Sequence, residues 1–571
     1  MAWQPWLGAV PDSSGTRFRV WAPKAQSLSV RIAGGQAVSL LPEGEGYFAG
    51  RIEGVRPGAR YLFRFPDGRE RPDPASLQQP EGVHGPSEVV DLAAIAPRTQ
   101  RARLPLEKLV FCEIHLGTYT AEGTAEAAAR HMPELAEALY TAVEVMPVAA
   151  FPGERNWGYD VVAPFAAQAG YGGPAGLSRL VDAAHQAGLS AFLDVVYNHL
   201  GPEGNYLGEF GPYFTGRHKT PWGDALDFSL LPVRRYFVEN ALRWVSRAGG
   251  GFDGLRLDAV HGILDDSPRH ILQEIAEAVH AEGGLAIAES DLNEAKLIEG
   301  YGLDASWADD LHHALHVALT GESQGYYEDF QDPMPKMAAA IERGWYYEGQ
   351  HKPSFGRKHG TKAAHLRARH FVVCAQNHDQ IGNRARGERL AALTNPGGLR
   401  AAAAVIALQP ALPLYFQGEE WGAREPFQYF VSHGDPALVE AVRRGRREEF
   451  RKFAWDEVPD PFARETFQRS RLDRARKDPE ALRWHRALLD LRRSHPALRD
   501  DSRRGVQVST EGKILILRRG PVLLLASFDA GLAEVRLPPG PWRTLLDSGA
   551  AAVSGDAVRF QGRGALVLEQ G

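Results

Sequence analysis

In Gly254-Leu255-Arg256-Leu257-Asp258 apolar and charged side chains alternate, which is the period of a strand, so Arg256 and Asp258 share one face. A soluble protein that points an arginine and an aspartate the same way from a strand must pair them or use them. The guanidinium favours the ionised form of Asp258, the state that a carboxylate nucleophile needs. A buried structural ion pair, or Asp258 as the N-cap of the next helix, explains this stretch as well as catalysis does. Two further carboxylates tilt the balance. Glu289 follows the apolar run Leu285-Ala286-Ile287-Ala288, which disfavours its charged form, and Asp379 closes Gln376-Asn377-His378-Asp379. Two carboxylates flanking a bond suit glycoside cleavage, one as acid and one as nucleophile or base. By environment Glu289 fits the acid and Asp258 the nucleophile.

These residues reach one place only if the chain brings several strand ends together. From residue 109 the pattern runs strand, helix, strand, helix. Strands are expected over 109–115, 142–148, 190–196, 255–258, 285–288, 304–307, 371–375 and 412–416, and helices over 126–139, 177–187, 233–248, 268–281 and 479–494. Eight such strands predict a closed (β/α)8 barrel over 104–495. An open doubly wound sheet is the alternative, but no glycine-rich phosphate loop follows the first strand. The strand ends of a barrel collect His115, Asp194, Asn198, His199, Arg256, Asp258, His261, Glu289, His378 and Asp379 on one rim. Residues 1–98 alternate at period two and predict an N-terminal β-sandwich, followed by a basic linker over 98–103. Residues 496–571 predict a second sandwich. Two long connections, 197–231 and 309–369, carry aromatic residues, which argues for function rather than disorder.

The totals exclude other classes. At 571 residues the chain exceeds one core and predicts two to four domains. A net charge of −6 gives no reason to expect nucleic acid or an anionic membrane as partner. The two cysteines, Cys112 and Cys374, each sit in an apolar run and read as buried thiols of a reducing compartment, with no metal-ligand spacing. Met1-Ala2-Trp3-Gln4-Pro5-Trp6 lacks the basic-then-apolar order of a signal peptide, so a cytoplasmic location is expected.

Asp194-Val195-Val196-Tyr197-Asn198-His199, Gly254 to His261, Ala288-Glu289 and Asn377-His378-Asp379 together resemble, in order and spacing, the four signature regions of the α-amylase superfamily. Phe18-Arg19-Val20-Trp21-Ala22-Pro23 resembles the immunoglobulin-like, carbohydrate-binding-type module that precedes branching and debranching enzymes. Glu113 to Thr120, Gln376 to Arg384, Gln417-Gly418-Glu419-Glu420-Trp421-Gly422 and Pro426-Phe427-Gln428-Tyr429-Phe430 resemble, more narrowly, the maltooligosyltrehalose trehalohydrolase family. The resemblance implies Asp258 as nucleophile, Glu289 as acid/base and Asp379 as the residue that holds the sugar. It also implies a donor-sugar subsite of His115, Tyr159, His199, Arg256 and His378, with Tyr159 as a stacking platform or else a core aromatic. The implied substrate is maltooligosyl trehalose, and the products are trehalose and maltooligosaccharides. No cofactor is implied. Asp194 and Asn198 fall where amylases often bind calcium, but the 197–231 loop offers no supporting acid cluster, so no metal is expected. His261 touches sugar or merely supports the rim. On the acceptor side the aromatics of the long connections, Trp222 and Phe355, are the candidates for telling trehalose from maltose; packing beneath their own loops is the other reading. A branching enzyme needs the same three carboxylates and is the nearest rival, followed by a glucan-binding protein that has lost catalysis.

Overall fold

The apolar runs become the parallel staves of a closed barrel in a computed structural model, which describes residues 3–99, 104–220, 223–451 and 458–571. Its strands are β1 (Phe111–Ile114), β2 (Ala142–Val145), β3 (Ser190–Val195), β4 (Gly254–Leu257), β5 (Leu285–Ala288), β6 (Ala305–Trp307), β7 (Phe371–Cys374) and β8 (Leu412–Phe416), with β8 hydrogen-bonded back to β1. Closure rules out the open-sheet alternative. Nearly every strand residue is buried, as expected of parallel strands covered on both faces. The helices that bear on the site or its surroundings are α1 (Gly173–Gln186), α2 (Leu231–Val245), α3 (Ile271–Ala281), α4 (Asp310–Thr320), α5 (His378–Gly382), α6 (Pro396–Leu408) and α7 (Pro479–Ser494). The single helix expected over 126–139 is instead two short ones, Ala125–Ala129 and Met132–Glu137. Pro133 has no N–H to give the carbonyl of Ala129, so the first helix stops there.

Parallel register decides which side chains meet. Asp194 of β3 stands beside Arg256 of β4, and Glu113 of β1 beside Glu144 of β2. Cys112 on β1 and Cys374 on β7 are both buried free thiols, and β8 lies between their strands.

Before the barrel, two antiparallel sheets face each other across Phe18, Val20, Val30, Tyr61 and Phe63, with the Phe18 and Tyr61 rings 4.9 Å apart. After the barrel, a five-stranded and a three-stranded sheet enclose Leu523, Leu525, Val535, Val558 and Phe560. The outer face of that five-stranded sheet (Leu515, Leu524, Val567) joins the core that runs under α6. The linker expected over 98–103 falls largely outside the described residues.

The 197–231 connection is more ordered than its sequence suggests. A helical turn, Leu207–Phe210, packs on the N-terminal sheets, and Phe214–Thr220 pairs with Gly223–Leu226 as a hairpin. The 309–369 connection holds α4, the helix Pro333–Arg343 and a short hairpin, His351–Lys352 with Arg357–Lys358. Among the described residues no helix is long and apolar enough to cross a membrane.

Candidate active site

The end of β4 carries the central charges. Arg256 is fully buried and points into the barrel, where its Nη1 donates to Asp194 Oδ2 and to Asp258 Oδ1, each at 2.7 Å. Its Cζ lies 4.3 Å from the ring centroid of Trp307, at the end of β6, so the guanidinium is held from beneath as well. Asn198 Nδ2 donates to both the main-chain oxygen and Oδ2 of Asp258, at 2.8 Å. The Asp258 carboxylate is thus fixed from two sides. The next residue, Ala259, turns the chain through the left-handed region at φ 40°, which costs a non-glycine residue about 1–2 kcal/mol. In return its N–H donates to Glu289 Oε2 at 2.7 Å, and the Val260 N–H donates to the Glu289 carbonyl.

Glu289 sits at the end of β5, with Arg256 Nη2 3.8 Å from its Oε2. Burial pushes its pKa up, Asp258 and Asp379 add to the rise, and Arg256 opposes it. A carboxyl poised to hold a proton beside one held by an arginine is the pairing that acid and nucleophile require. Asp379, in the first turn of α5, is the most open of the three, with 42% of its side chain exposed. The Asn377 side chain caps that helix by accepting from the Gln380 N–H at 2.9 Å, which sets the direction in which Asp379 leaves the rim.

A chain of hydrogen bonds links β7 to β4 beneath the carboxylates. His378 Nδ1 bonds Glu113, whose other oxygen accepts from the His378 N–H at 2.9 Å. His378 Nε2 lies 2.7 Å from the Tyr159 hydroxyl, which donates to Asp194 Oδ2 at 2.7 Å. Burial disfavours the imidazolium, but Glu113 and Asp379 outweigh it and raise His378 to about 9. Burial raises Asp194 to about 7 against the pull of Arg256. Tyr159 stacks on His378, ring centroids 5.1 Å apart at 22°, and its ring is partly exposed.

The other expected donor-site residues are placed differently. His115 is 1% exposed: Nδ1 bonds Thr118 Oγ1, and Nε2 lies against the Asn156 carbonyl and the Tyr171 hydroxyl. Burial lowers its pKa to about 4. No ring nitrogen is left for a sugar, so His115 supports the loop that carries Tyr159 rather than lining the cleft. His199 is similar, with Nε2 at 2.9 Å from the Tyr159 carbonyl, Nδ1 on Asn198, and a pKa lowered by burial. His261 lies on the exposed rim with Nδ1 3.6 Å from Asp291. Phe355 is 38% exposed and edges on His359 at 5.0 Å, so it is not packed away under its loop. Trp222 lies outside the described residues. Asp194 Oδ2 accepts from Tyr159 and Arg256 while its Oδ1 is buried without a partner, Asn198 bonds His199 and Asp258, and among the described residues no group of three His, Cys, Asp or Glu is placed to hold a metal ion.

Three site residues escaped the sequence reading. Glu113, an acid inside the apolar strand β1, was legible as an anomaly and pairs His378. Glu144, on β2, is buried with neither carboxylate oxygen bonded, and burial next to Glu113 pushes its pKa far up. Asp309, just after β6, faces Glu289 and Asp379 closely enough that burial and those two charges raise it to about 8.

No protein-family model matches the chain. Over 85% of its length it is 41% identical to the malto-oligosyltrehalose trehalohydrolase of Saccharolobus solfataricus, covering 86% of that protein. It is 43% identical to the malto-oligosyltrehalose trehalohydrolase of Deinococcus radiodurans, over 93% of the chain and 91% of the relative. By contrast, likeness to a glucan branching enzyme of Cutibacterium acnes, at 32% identity, spans only 44% of the chain. A solved structure described as a putative alpha amylase from Salmonella typhimurium superimposes with a TM-score of 0.92 at 37% identity, over the full length of both chains. With identity of this order over nearly the whole length, and paired carboxylates at the mouth of an eight-stranded barrel, the chain belongs to the malto-oligosyltrehalose trehalohydrolase family.

Proposed function

We propose that the chain cleaves the α-1,4 bond next to the terminal trehalose of maltooligosyl trehalose by double displacement, with Asp258 as nucleophile and Glu289 as acid and then base. The protonated Glu289 carboxyl gives its proton to the bridging oxygen as the Asp258 carboxylate attacks the anomeric carbon. Trehalose leaves, and a glycosyl ester to Asp258 remains. Glu289, now ionised, takes a proton from water, which attacks the same carbon and returns Asp258 to its free state. Asp379, open to the cleft, accepts hydroxyls of the donor ring as it flattens toward the oxocarbenium ion. Tyr159, backed by His378, offers that ring an aromatic face. His115 and His199 act through the loop that carries Tyr159.

The observation that carries this reading is the shared guanidinium of Arg256. It holds the Asp258 carboxylate at 2.7 Å, while Glu289 stands 3.8 Å off and burial pushes its pKa up. Neutral glucan chains are the substrate class, and the acceptor half should sort trehalose from maltose. Phe355, exposed in the turn Pro353–Phe355, and Trp222 are our choices for that sorting. Product analysis of maltotriosyl trehalose beside maltopentaose tests the whole. Free trehalose from the first with little change in the second is expected; new branch points, or equal cleavage of both, would overturn it.

A further inference from the structure

The stretch Gln417-Gly418-Glu419-Glu420-Trp421-Gly422, one of those that carry the family resemblance, has no part in the chemistry above beyond Gln417 Oε1, which accepts from the His115 N–H at 2.9 Å. It forms one wall of a cavity of about 190 Å³ outside the barrel. The other walls are α6, α7 and the outward face of β8, which contributes Tyr415. Gln376, two residues before His378, lies in the floor, but none of the catalytic carboxylates lines the space.

The lining is an unusual mixture. Glu419, Glu420 and Glu425 meet Arg400, Arg424 and Arg476 around the rings of Tyr415, Trp484 and His485. Several polar groups there lack partners. Tyr415 is 1% exposed and its hydroxyl makes no hydrogen bond, and both carboxylate oxygens of Glu425 are buried and equally unpaired. Burial raises Glu419 to about 8 and Glu420 to about 7, so each can offer a proton as well as accept one near neutrality. Buried groups of this kind are normally satisfied by protein, water or ligand.

The mixture selects a ligand class by elimination. An anion would lie against the unpartnered carboxylate oxygens of Glu425, while Arg400 is already engaged by Glu480 and the Ser548 carbonyl and Arg476 by Asp473. A metal ion finds no group of three ligating side chains among the described residues. A purely apolar molecule would leave the carboxylates and the Tyr415 hydroxyl without water or partner. A neutral polyhydroxylated ring meets every requirement, since its hydroxyls donate to carboxylates and accept from arginines while its C–H face lies on an aromatic ring. The volume is below the roughly 300 Å³ of the smallest drug-sized pockets, which suits a single pyranose ring. We propose that this cavity is a second carbohydrate site, separate from the cleft, that binds one neutral hexose ring, either free or as half of a non-reducing disaccharide.

The test uses the full chain carrying Asp258→Ala, so that nothing turns over, with the cleft saturated by maltotriosyl trehalose. Equilibrium dialysis then measures labelled glucose and labelled trehalose separately. One further equivalent of either sugar is expected, and which of the two binds distinguishes a free monosaccharide from the released disaccharide as the source. Glu425→Gln should weaken it about tenfold, or about 1.4 kcal/mol, and Ala481→Leu, which fills the space from α7, should abolish it. In the active background both variants should keep normal kcat, which shows that they fold. Neither sugar bound beyond the cleft, or binding undiminished in both variants, would overturn the proposal and leave the cavity to water.

Discussion

At the scale of single residues, the site works by giving like groups unlike surroundings. Asp258 is held open to attack by Arg256 and Asn198, whereas Glu289 lies against its own apolar strand. Asp258→Ala and Glu289→Gln should each lower kcat by several orders of magnitude, because each removes one half of a coupled pair of steps. Glu289→Gln should change the melting temperature little, whereas Asp258→Ala, which leaves the buried Arg256 with Asp194 as its close carboxylate, should lower it. Proton NMR of fresh product should show the α-anomer of the new reducing end first; an initial β-anomer would eliminate the glycosyl ester. His378 supplies a pH dependence whose sign is fixed. Its folded pKa, about 9, lies above the ordinary value of 6.5, so its stabilisation is complete below about 6.5 and is lost as pH rises toward 9. Glu113→Gln keeps an acceptor for Nδ1 but removes the charge. Its melting temperature should therefore begin to fall at lower pH than that of the unaltered chain, and coincident pH profiles would dissociate Glu113 from the imidazolium.

At the scale of elements, two tight backbone positions aim the carboxylates. Ala259 occupies the left-handed region so that its N–H meets Glu289. A β-branched residue tolerates that region least, so Ala259→Val should destabilise by about 1–3 kcal/mol and lower kcat as well, measured by thermal unfolding and turnover on the same preparation. Gly382 ends α5, the short helix that starts with His378 and Asp379. A Cβ there would fall 2.0 Å from the Trp157 ring, which stands edge-on to His378 and is tied by its Nε1 to the Gln428 carbonyl. Gly382→Ala must therefore shift α5 or Trp157. A shift of a few tenths of an ångström at Asp379 should cost about tenfold in kcat, with a smaller effect on KM, because Asp379 acts most strongly on the flattened ring.

At the scale of the whole molecule, the N-terminal sheets are fastened to the loop that follows β3. Phe63 and Phe65 edge on Phe210, Trp21 on Tyr213, and Arg71 pairs with Glu209 at 2.8 Å. We propose domain boundaries at residues 98–104 and 495–496; the loop after β3 packs on the N-terminal sheets and α6 on the C-terminal five-stranded sheet. Removing residues 1–98 would uncover Phe210 and Tyr213 together, an apolar patch next to the loop that also carries Asn198 and His199. The expected result is a barrel recovered mainly as aggregate, read by soluble yield and light scattering. A monodisperse, active barrel would show that the sheets are dispensable.

The sequence by itself determined the staves and the acids at their ends. Strand periodicity is a local consequence of covalent geometry, so Arg256 and Asp258 had to share a face whatever surrounded them. The apolar run before Glu289 likewise announced its environment. Barrel closure was legible because eight apolar segments alternated with helices, although Pro133 divided one of those helices. Only the tertiary structure decided which polar atoms meet. His378 finds Glu113 265 residues away because β7 and β1 flank β8 in the closed ring. His115 and His199, which stand at strand ends like any rim residue, are claimed instead by the carbonyls of Asn156 and Tyr159. Hydrogen-bond partners across a barrel depend on which strand ends stand opposite one another once the ring has closed, and the spacing of residues along the chain does not name those pairs.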